Sequence, residues 1–322
     1  MMKQNIKELK NLSRVVANQE RLIKSLEGKL HRLQGRSTSA KHMLVMSDVQ
    51  DGSSKAVCTP QPVVSAKETI HQPNREQIAL FEGWLQCKDH LEKKRSNLAV
   101  LNGEGIDGAN RHQDGNQSWT TDYMDQVIDA QKLIEMYNYD KFYVLGGSKY
   151  HTVVGATNFD EVLAKLLGAV PYKMHGGKGI VDQALFIDIP HGGHTTRVNF
   201  THHVGFAKDE GNRANALQKE IVRCQMYKGT EFDIGVRSHD HYFQEVRTWY
   251  ANQRMIRGII TPCWKLADDF MFRSGMPTES TNGMVEFIFE TNGKVEIIPI
   301  IVDITDSKQV GHPIKVRVDR LE

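Results

Sequence analysis

From residue 42 onward, short apolar runs alternate with longer stretches of helical period. The apolar runs predict strands at 42–47, 98–102, 141–146, 184–189, 196–201 and 231–237. Between them, apolar residues three and four apart predict helices over about 74–95, 122–138, 158–168 and 212–227, the first with the seam Ile78/Phe81/Leu85. Strand and helix in alternation indicate an α/β domain with substantial parallel sheet. Beyond residue 250 the texture becomes mostly strand. Its clearest piece is VEFIFE-TNGK-VEIIPIIVDI, with Asn292-Gly293 as the hairpin signal. A second sheet packed on the first is the expected use of these late strands. Residues 53–73 follow neither period and read as an irregular excursion between the first strand and its helix.

Ahead of the domain the period changes to seven. Leu9, Leu12, Val16, Gln19, Ile23, Leu26, Leu30 and Leu33 alternate spacings of three and four and share one helical seam. Residues 1–37 are therefore expected to form a coiled-coil helix that joins copies of the chain into a homo-oligomer. The single polar seam residue, Gln19, would set register. The alternative is an amphipathic helix folded back on the body. Gly35 to Ser39 reads as a linker, and residues 38–322 as the main domain.

Composition narrows the class without changing this picture. The chain has 322 residues, 39% hydrophobic and 25% charged, as in an ordinary soluble globular protein. Its net charge of +2 hides an asymmetry: residues 1–41 carry ten Lys/Arg against three Glu, and the remainder 31 basic against 36 acidic residues. A basic arm can touch nucleic acid or simply be a solvated helix face. No apolar run approaches the roughly 20 residues needed to cross a bilayer, so no membrane partner is expected. Cys58, Cys87, Cys224 and Cys263 are widely spaced and read as free thiols. The expected address is the cytoplasm, of the host cell if the chain is phage-encoded.

The candidate chemistry lies where the apolar runs end. LVMS runs into Asp48, AVLN into Gly103-Glu104, FYVLGG is followed by His151, VNFT by His202-His203, and FDIGVRS by His239 and His241. Ligands of open α/β sheets gather beyond the carboxyl ends of the strands, so these side chains would meet on one rim. Eight of the fourteen histidines fall between His151 and His241. Neutral imidazole is a common metal ligand, and mixed oxygen and nitrogen donors suit Mn²⁺, Fe or Zn²⁺ better than Ca²⁺. His175, His191 and His194 read instead as structural core residues. Three glycines flank Glu104 and Asp107 in LNGEGIDG, where the backbone could approach an ion closely.

In order, these segments resemble the calcineurin-like metallophosphoesterases. That family's blocks D-x-H-x-G, G-D, G-N-H-[DE], a lone H, and G-H-x-H correspond to Asp48-Val49-Gln50-Asp51-Gly52, Gly103-Glu104, Gly147-Ser148-Lys149-Tyr150-His151, His202, and Ser238-His239-Asp240-His241. The wording of GGSKYH, HHVG and VRSHDHYF looks most like the phage and prophage branch. The resemblance covers roughly residues 42–245. It implies a four-layer α-β-β-α sandwich of two mixed sheets with a pair of divalent metal ions at the rim. Mn²⁺ is the first choice and Zn²⁺, Fe or Mg²⁺ the alternatives. Asp48, Gln50, Glu104 and His241 would surround one ion; Glu104, His202 and His239 would hold the other, with Glu104 bridging. A hydroxide between the ions would attack phosphorus and His151 would protonate the leaving group. Ser148, His203 and Asp107 are further candidates for the site.

Three positions depart from the family. Gln50 stands where it has His, Glu104 where it has Asp, and Tyr150 precedes His151 where it has Asn. The expected function is hydrolysis of a phosphodiester, with DNA or RNA as candidate substrate. The alternative is a catalytically weak or inactive domain kept as an oligomeric interaction module.

Overall fold

A computed structural model describes residues 40–91, 96–111, 114–174, 177–204, 210–227, 231–250, 254–273, 280–304 and 315–318. The expected coiled coil over 1–37, its linker and His175 lie outside these residues. The strands that build the two large sheets are β1 (Lys41–Met46), β2 (Leu98–Asn102), β3 (Phe142–Leu145), β4 (Ala184–His191), β5 (His194–Thr201), β6 (Ile234–Arg237), β7 (Gln244–Tyr250), β8 (Arg254–Ile260), β9 (Asn282–Phe289), β10 (Val295–Asp303) and β11 (Lys315–Val318). The longer helices are α1 (Arg75–Leu91), α2 (Tyr123–Ile134), α3 (Phe159–Leu166) and α4 (Glu210–Gln225). Polar caps start two of them: Asp122 accepts from the backbone of Met124 and Asp125 at α2, and Asn158 from Asp160 at α3.

One sheet has the order β11-β10-β9-β1-β2-β3, and the other β4-β5-β6-β8-β7. Both are mixed. In the first, β1, β2 and β3 run parallel while β9 and β10 are antiparallel neighbours. In the second, β5, β6 and β8 run parallel between the antiparallel edge strands β4 and β7.

Side-chain alternation assigns the layers. Along β1, Met43 and Val45 point between the sheets, where they meet Val100, Phe200, Val236, Ile259 and Phe287. Leu44 and Met46 point the other way, onto α1, α2 and α3 with Leu80, Trp84, Val127 and Leu163. On the far side of the second sheet, Leu217 and Ile221 of α4 pack on Phe232, Ile256 and Ile260. Three apolar layers thus separate four layers of structure, an α-β-β-α sandwich.

Two expectations are corrected. The late strands β9, β10 and β11 do not form a second sheet; they extend the first, because β9 pairs along β1 from Lys41↔Phe289 to Val45↔Val285. The second sheet comes from the middle of the chain, β4 through β8. The turn at Asn292-Gly293 between β9 and β10 is as expected. The seam of α1 is also different. Ile78 and Leu85 are exposed, and the buried stripe is Gln77, Leu80, Trp84, Cys87 and Leu91. Apolar residues occupy both sides of this helix, and the stripe with Gly83 wins because a Cβ there would lie 2.4 Å from Val302 Cγ1. The close approach lets Trp84 reach the Leu133 carbonyl at 3.1 Å and accept from Tyr137 at its own.

Residues 53–73 have a place as well. A small ribbon, Val63–Val64 with Thr69–Ile70, lies against α2. Thr59 and Ser65 donate backbone and hydroxyl hydrogens to Asp129 and Asp125 of that helix. His71 stacks on Trp119 at 5.6 Å.

Candidate metal centre

The parallel register of β1 and β2 carries on past the ends of the strands. Asp48 N donates to Gly103 O, Gln50 N to Glu104 O, and Asp51 N to Gly105 O. Two loops distant in sequence therefore stay side by side and deliver Asp48 and Glu104 to the same point. From the second sheet, Ser238 N donates to His202 O, and His239 N lies 3.3 Å from Asp48 Oδ2. The strand ends of both sheets meet there.

Under the rim runs a chain of buried hydrogen bonds. Asn102 Nδ2 donates to Ser238 Oγ at 2.6 Å; Ser238 Oγ meets Thr261 Oγ1 at 2.8 Å, and Thr261 Oγ1 meets Ser47 Oγ at 2.7 Å. These four residues close β2, β6, β8 and β1, so the chain ties the two sheets together beneath the site.

Backbone conformation marks the same place. Asp48, Gln50, Glu104, His239 and His241 all have positive φ, from 46° to 75°. Left-handed backbone at a non-glycine residue costs on the order of 1 kcal/mol or more and concentrates at functional sites. Packing is equally tight: a Cβ on Gly103, itself at φ 87°, would lie 2.4 Å from His202 Nδ1, and one on Gly147 would lie 2.4 Å from Glu104 Cγ.

The side chains converge. One donor atom each from Asp48, Glu104, His202 and His239 lies within 4.8 Å of the others. His202 Nε2 is 3.1 Å from Glu104 Oε1 and 3.8 Å from Asp48 Oδ1. His241 Nε2 is 3.4 Å from Asp48 Oδ1, and His239 Nδ1 is 3.6 Å from Glu104 Oε1. Gln50 Nε2 donates to Glu104 Oε2, and Ser148 Oγ donates to Glu104 Oε1 at 2.5 Å. Asp48 and Glu104 are wholly buried, and His202 is 1% exposed. His203 lies at the edge, its ring 5.0 Å from that of His202 and 4.7 Å from that of His239.

Second contacts fix the rings. His202 Nδ1 is 2.7 Å from Asn102 O, and His151 Nδ1 is 2.7 Å from Asp107 O. A carbonyl only accepts, so both rings carry hydrogen on Nδ1 and present Nε2 to the site. His151 Nε2 is 3.9 Å from Glu104 Oε2.

Burial alone would raise the carboxyls of Asp48 and Glu104. The imidazoles outweigh it: His202 and His241 hold Asp48 below its ordinary value, and His151 and His202 hold Glu104 well below. In return, His202 is raised to about 9, since Glu104 and Asp48 overcome the opposing effect of burial. Several atoms of this cluster are buried without a hydrogen-bond partner among the described residues: Asp48 Oδ1, Gln50 Oε1, His202 Nε2, His239 Nδ1 and His241 Nδ1. The short His202–Glu104 approach is thus charge attraction without hydrogen-bond geometry. Buried polar atoms left unpaired are costly. Two carboxylates, an amide oxygen and three imidazoles aimed at one point are a donor set that fits divalent cations.

Asp107 is not in this set. Its carboxylate takes a 2.8 Å ion pair from buried Lys265 and a 3.2 Å hydrogen bond from Asn110, and its role at the site is to hold His151. Lys265 also pairs with Asp268 at 3.1 Å, and the two acids keep it charged despite burial. His191 is a satisfied buried residue between Glu290 O and Thr196 Oγ1, as expected, whereas His194 is exposed at the hairpin. The periodic reading passed over Lys265, Asp160 and the Asn102–Ser238–Thr261–Ser47 chain. A lysine directly after the apolar TPCW was the available signal for Lys265. Asp160, at the start of α3, accepts from Gly147 N at 2.8 Å and steadies the loop before Ser148.

A cleft of about 380 Å³ opens onto the cluster. Beyond the candidate ligands it is walled by Tyr150, Phe270 and Met271, with Asp240, Lys265 and Asp268. None of the four cysteines forms a disulfide. Among the described residues no helix is long and apolar enough to cross a membrane.

The sequence matches no protein-family model and no curated protein. Among solved structures the chain is similar to Vps29 from Entamoeba histolytica complexed with zinc, at 12% identity and TM-score 0.37 over 87% of this chain and 98% of that one. It is similar to Vps29 from Chaetomium thermophilum, at 10% identity and TM-score 0.39 over 87% and 97%. A dimetal phosphatase from Danio rerio follows at 8% identity and TM-score 0.37 over 81% and 95%. Overlaps this loose assign no chemistry, and the four-layer sandwich stands on its own sheet orders and apolar layers.

Proposed function

We propose that this chain is a metal-dependent phosphoesterase of the calcineurin-like type, acting on a phosphodiester. The observation that carries the reading is the meeting of four strand-end segments, from both sheets, in one cluster of oxygen and nitrogen donors, several of them unpartnered among the described residues and most of them on positive-φ backbone. Asp48, Gln50, Glu104 and His241 would hold one divalent ion, and Glu104, His202 and His239 the other. Mn²⁺ suits the oxygen-rich first position. Bound there, such a pair supplies an activated water and neutralises charge on the phosphoryl oxygens.

The remaining work falls to the chain. His151 is the proton donor to the departing alkoxide: its Nδ1–H is fixed on the Asp107 carbonyl, which leaves Nε2 facing the cluster. Lys265 holds Asp107, and so the loop that orients His151. Gln50 can turn its amide so that Oε1, now unpartnered, replaces Nε2 toward an ion. Ser148 Oγ steadies Glu104.

The cleft bears on the substrate. Among the described residues that line it, Lys265 is the only Lys or Arg, and two carboxylates already compensate it. Tracking a nucleic-acid backbone takes uncompensated basic groups. The apolar wall of Tyr150, Phe270 and Met271 favours a small diester with an apolar or aromatic group over a DNA or RNA polymer. Oligomerisation through residues 1–37 and a cytoplasmic address remain part of the proposal.

The test is metal content and hydrolysis of a chromogenic phosphodiester with added Mn²⁺. Asp48→Asn should lose metal and turnover together; His151→Ala should lose turnover and keep metal. Wild-type protein with neither metal nor turnover would overturn the proposal in favour of an inactive interaction module.

A further inference from the structure

His203 stands outside the ligand set just assigned, yet its surroundings are those of a ligand. The donor nitrogens of His202, His203 and His239 lie within 4.8 Å of one another. Its ring meets those of His202 and His239 edge to face, both at 76°. Two of these nitrogens have no hydrogen-bond partner: His202 Nε2, on a side chain 1% exposed, and His239 Nδ1. The Nδ1–H of His202 is held by the Asn102 carbonyl, so its Nε2 is left as an acceptor, and no neighbouring ring donates to it among the described residues; two imidazoliums this close would repel. A cation between them resolves both conditions.

The two halves of the cluster differ in chemistry. Around Asp48 the donors are mostly oxygen: Asp48, the Gln50 amide and Glu104, with one imidazole from His241. Around His202 they are mostly nitrogen. No asparagine precedes His151 to add an oxygen there, and Ser148 Oγ is spent on Glu104. We propose that His203 is a metal ligand, completing a site of three imidazoles and the Glu104 carboxylate that selects a borderline cation such as Zn²⁺ or Co²⁺, beside an oxygen-rich position that takes a harder one. Metal–nitrogen bonds of about 2.0–2.1 Å set the donors of a four-coordinate site roughly 3.3–3.4 Å apart; the donors here lie within 4.8 Å, and rotation of the exposed His203 ring would draw the set closed. Donor softness then sorts the metals. This inference rests on the dinuclear reading above.

The test is titration of the metal-free full-length chain with Co²⁺ alone, following stoichiometry by dialysis and the visible absorption of the bound ion. Wild-type protein should take up two Co²⁺, one giving the intense visible bands of a four-coordinate nitrogen-rich site. His203→Ala, on an exposed side chain, should fold normally by circular dichroism. It should lose those bands and weaken one of the two ions by about 10–100-fold while the other is unchanged. His203→Asn should restore stoichiometry without the intense bands. Two Co²⁺ bound by His203→Ala with unchanged affinity and spectrum would overturn the assignment of His203 and leave the phosphoesterase reading intact. Wild-type protein that takes up no Co²⁺ would overturn both.

Discussion

Two groups of buried carboxylates sit at opposite ends of the same loops, and they have opposite surroundings. Asp125 and Asp129 on α2 are met by neutral donors: Ser65 N at 3.0 Å and Ser65 Oγ at 2.5 Å, Thr59 N at 2.8 Å and the Thr59 hydroxyl. Their oxygens are satisfied, and they fasten residues 53–73 to the helix. Asp48 and Glu104 are buried just as deeply but face imidazoles; Glu104 also accepts from Gln50 and Ser148, while Asp48 Oδ1, His202 Nε2 and His239 Nδ1 lack partners among the described residues. Burial of acid is therefore not what distinguishes the candidate centre. What distinguishes it is the convergence of unpaired oxygen and nitrogen donors, which the proposed cations would complete.

The widest separation between the two groups should appear on removing the bridging charge. Glu104→Gln keeps the shape and the acceptor for Ser148 but loses the carboxylate shared by both proposed ions. Turnover of a chromogenic diester should fall by about a thousandfold or more, a loss on the scale of a principal electrostatic group in catalysis, and bound metal should drop from two ions to one or none by elemental analysis. Retention of both ions at full turnover would erase the distinction. The matching change at the other group, Asp129→Ala, strands the Thr59 N–H and hydroxyl in the interior. It should lower unfolding free energy by about 3 kcal/mol in urea and leave metal content alone. A loss of metal there would show the two groups to be coupled.

How much of this was open to sequence reading depended on range. The strands are legible because their apolar runs are short and regular, and the Asp, Glu and His residues that follow five of them mark the candidate site. The partner of a strand was not legible. The late strands read as a second sheet because nothing in VEFIFE says that it pairs with Lys41–Val45 at the far end of the domain. The face of α1 was missed because Ile78, Phe81 and Leu85 make as good a stripe as Leu80, Trp84 and Cys87; the close approach of Gly83 to Val302 decides, and Val302 is more than two hundred residues away. The left-handed backbone at Asp48, Gln50, Glu104, His239 and His241 is set by the ladder between loops, and side-chain type alone does not predict it.

Asp160 falls between the two groups and sharpens the contrast. It is buried with one backbone donor, Gly147 N, and its Oδ1 has no partner among the described residues. Burial raises its carboxyl from 3.8 to about 6. The folded state therefore binds a proton that the unfolded state releases between these values. Its contribution to stability is full below about pH 4 and is lost as pH rises through 6, by roughly 2–3 kcal/mol for a shift of this size. Asp160→Asn keeps an acceptor for Gly147 and has nothing to titrate. Urea midpoints taken from pH 4 to pH 7 should show the variant gaining on wild type as pH rises. Parallel curves would mean that burial does not raise the Asp160 carboxyl.

The smallest effect should come from the hydroxyls that join the sheets under the rim. Thr261 Oγ1 stands between Ser47 and Ser238 at 2.7 and 2.8 Å and is also 3.2 Å from the Arg237 carbonyl. Thr261→Val keeps the shape and removes the hydroxyl. Ser47 still has the Pro262 carbonyl at 3.0 Å, and Ser238 still has Asn102 at 2.6 Å, so neither neighbour is stranded. The loss should be about 1 kcal/mol, read as a lower urea midpoint at unchanged slope, with both metal ions retained. Should this near-isosteric change release metal instead, the satisfied chain beneath the centre would be setting the distance between the sheets. Geometry at Asp48 and His202 would then depend on hydrogen bonds one layer below the ligands.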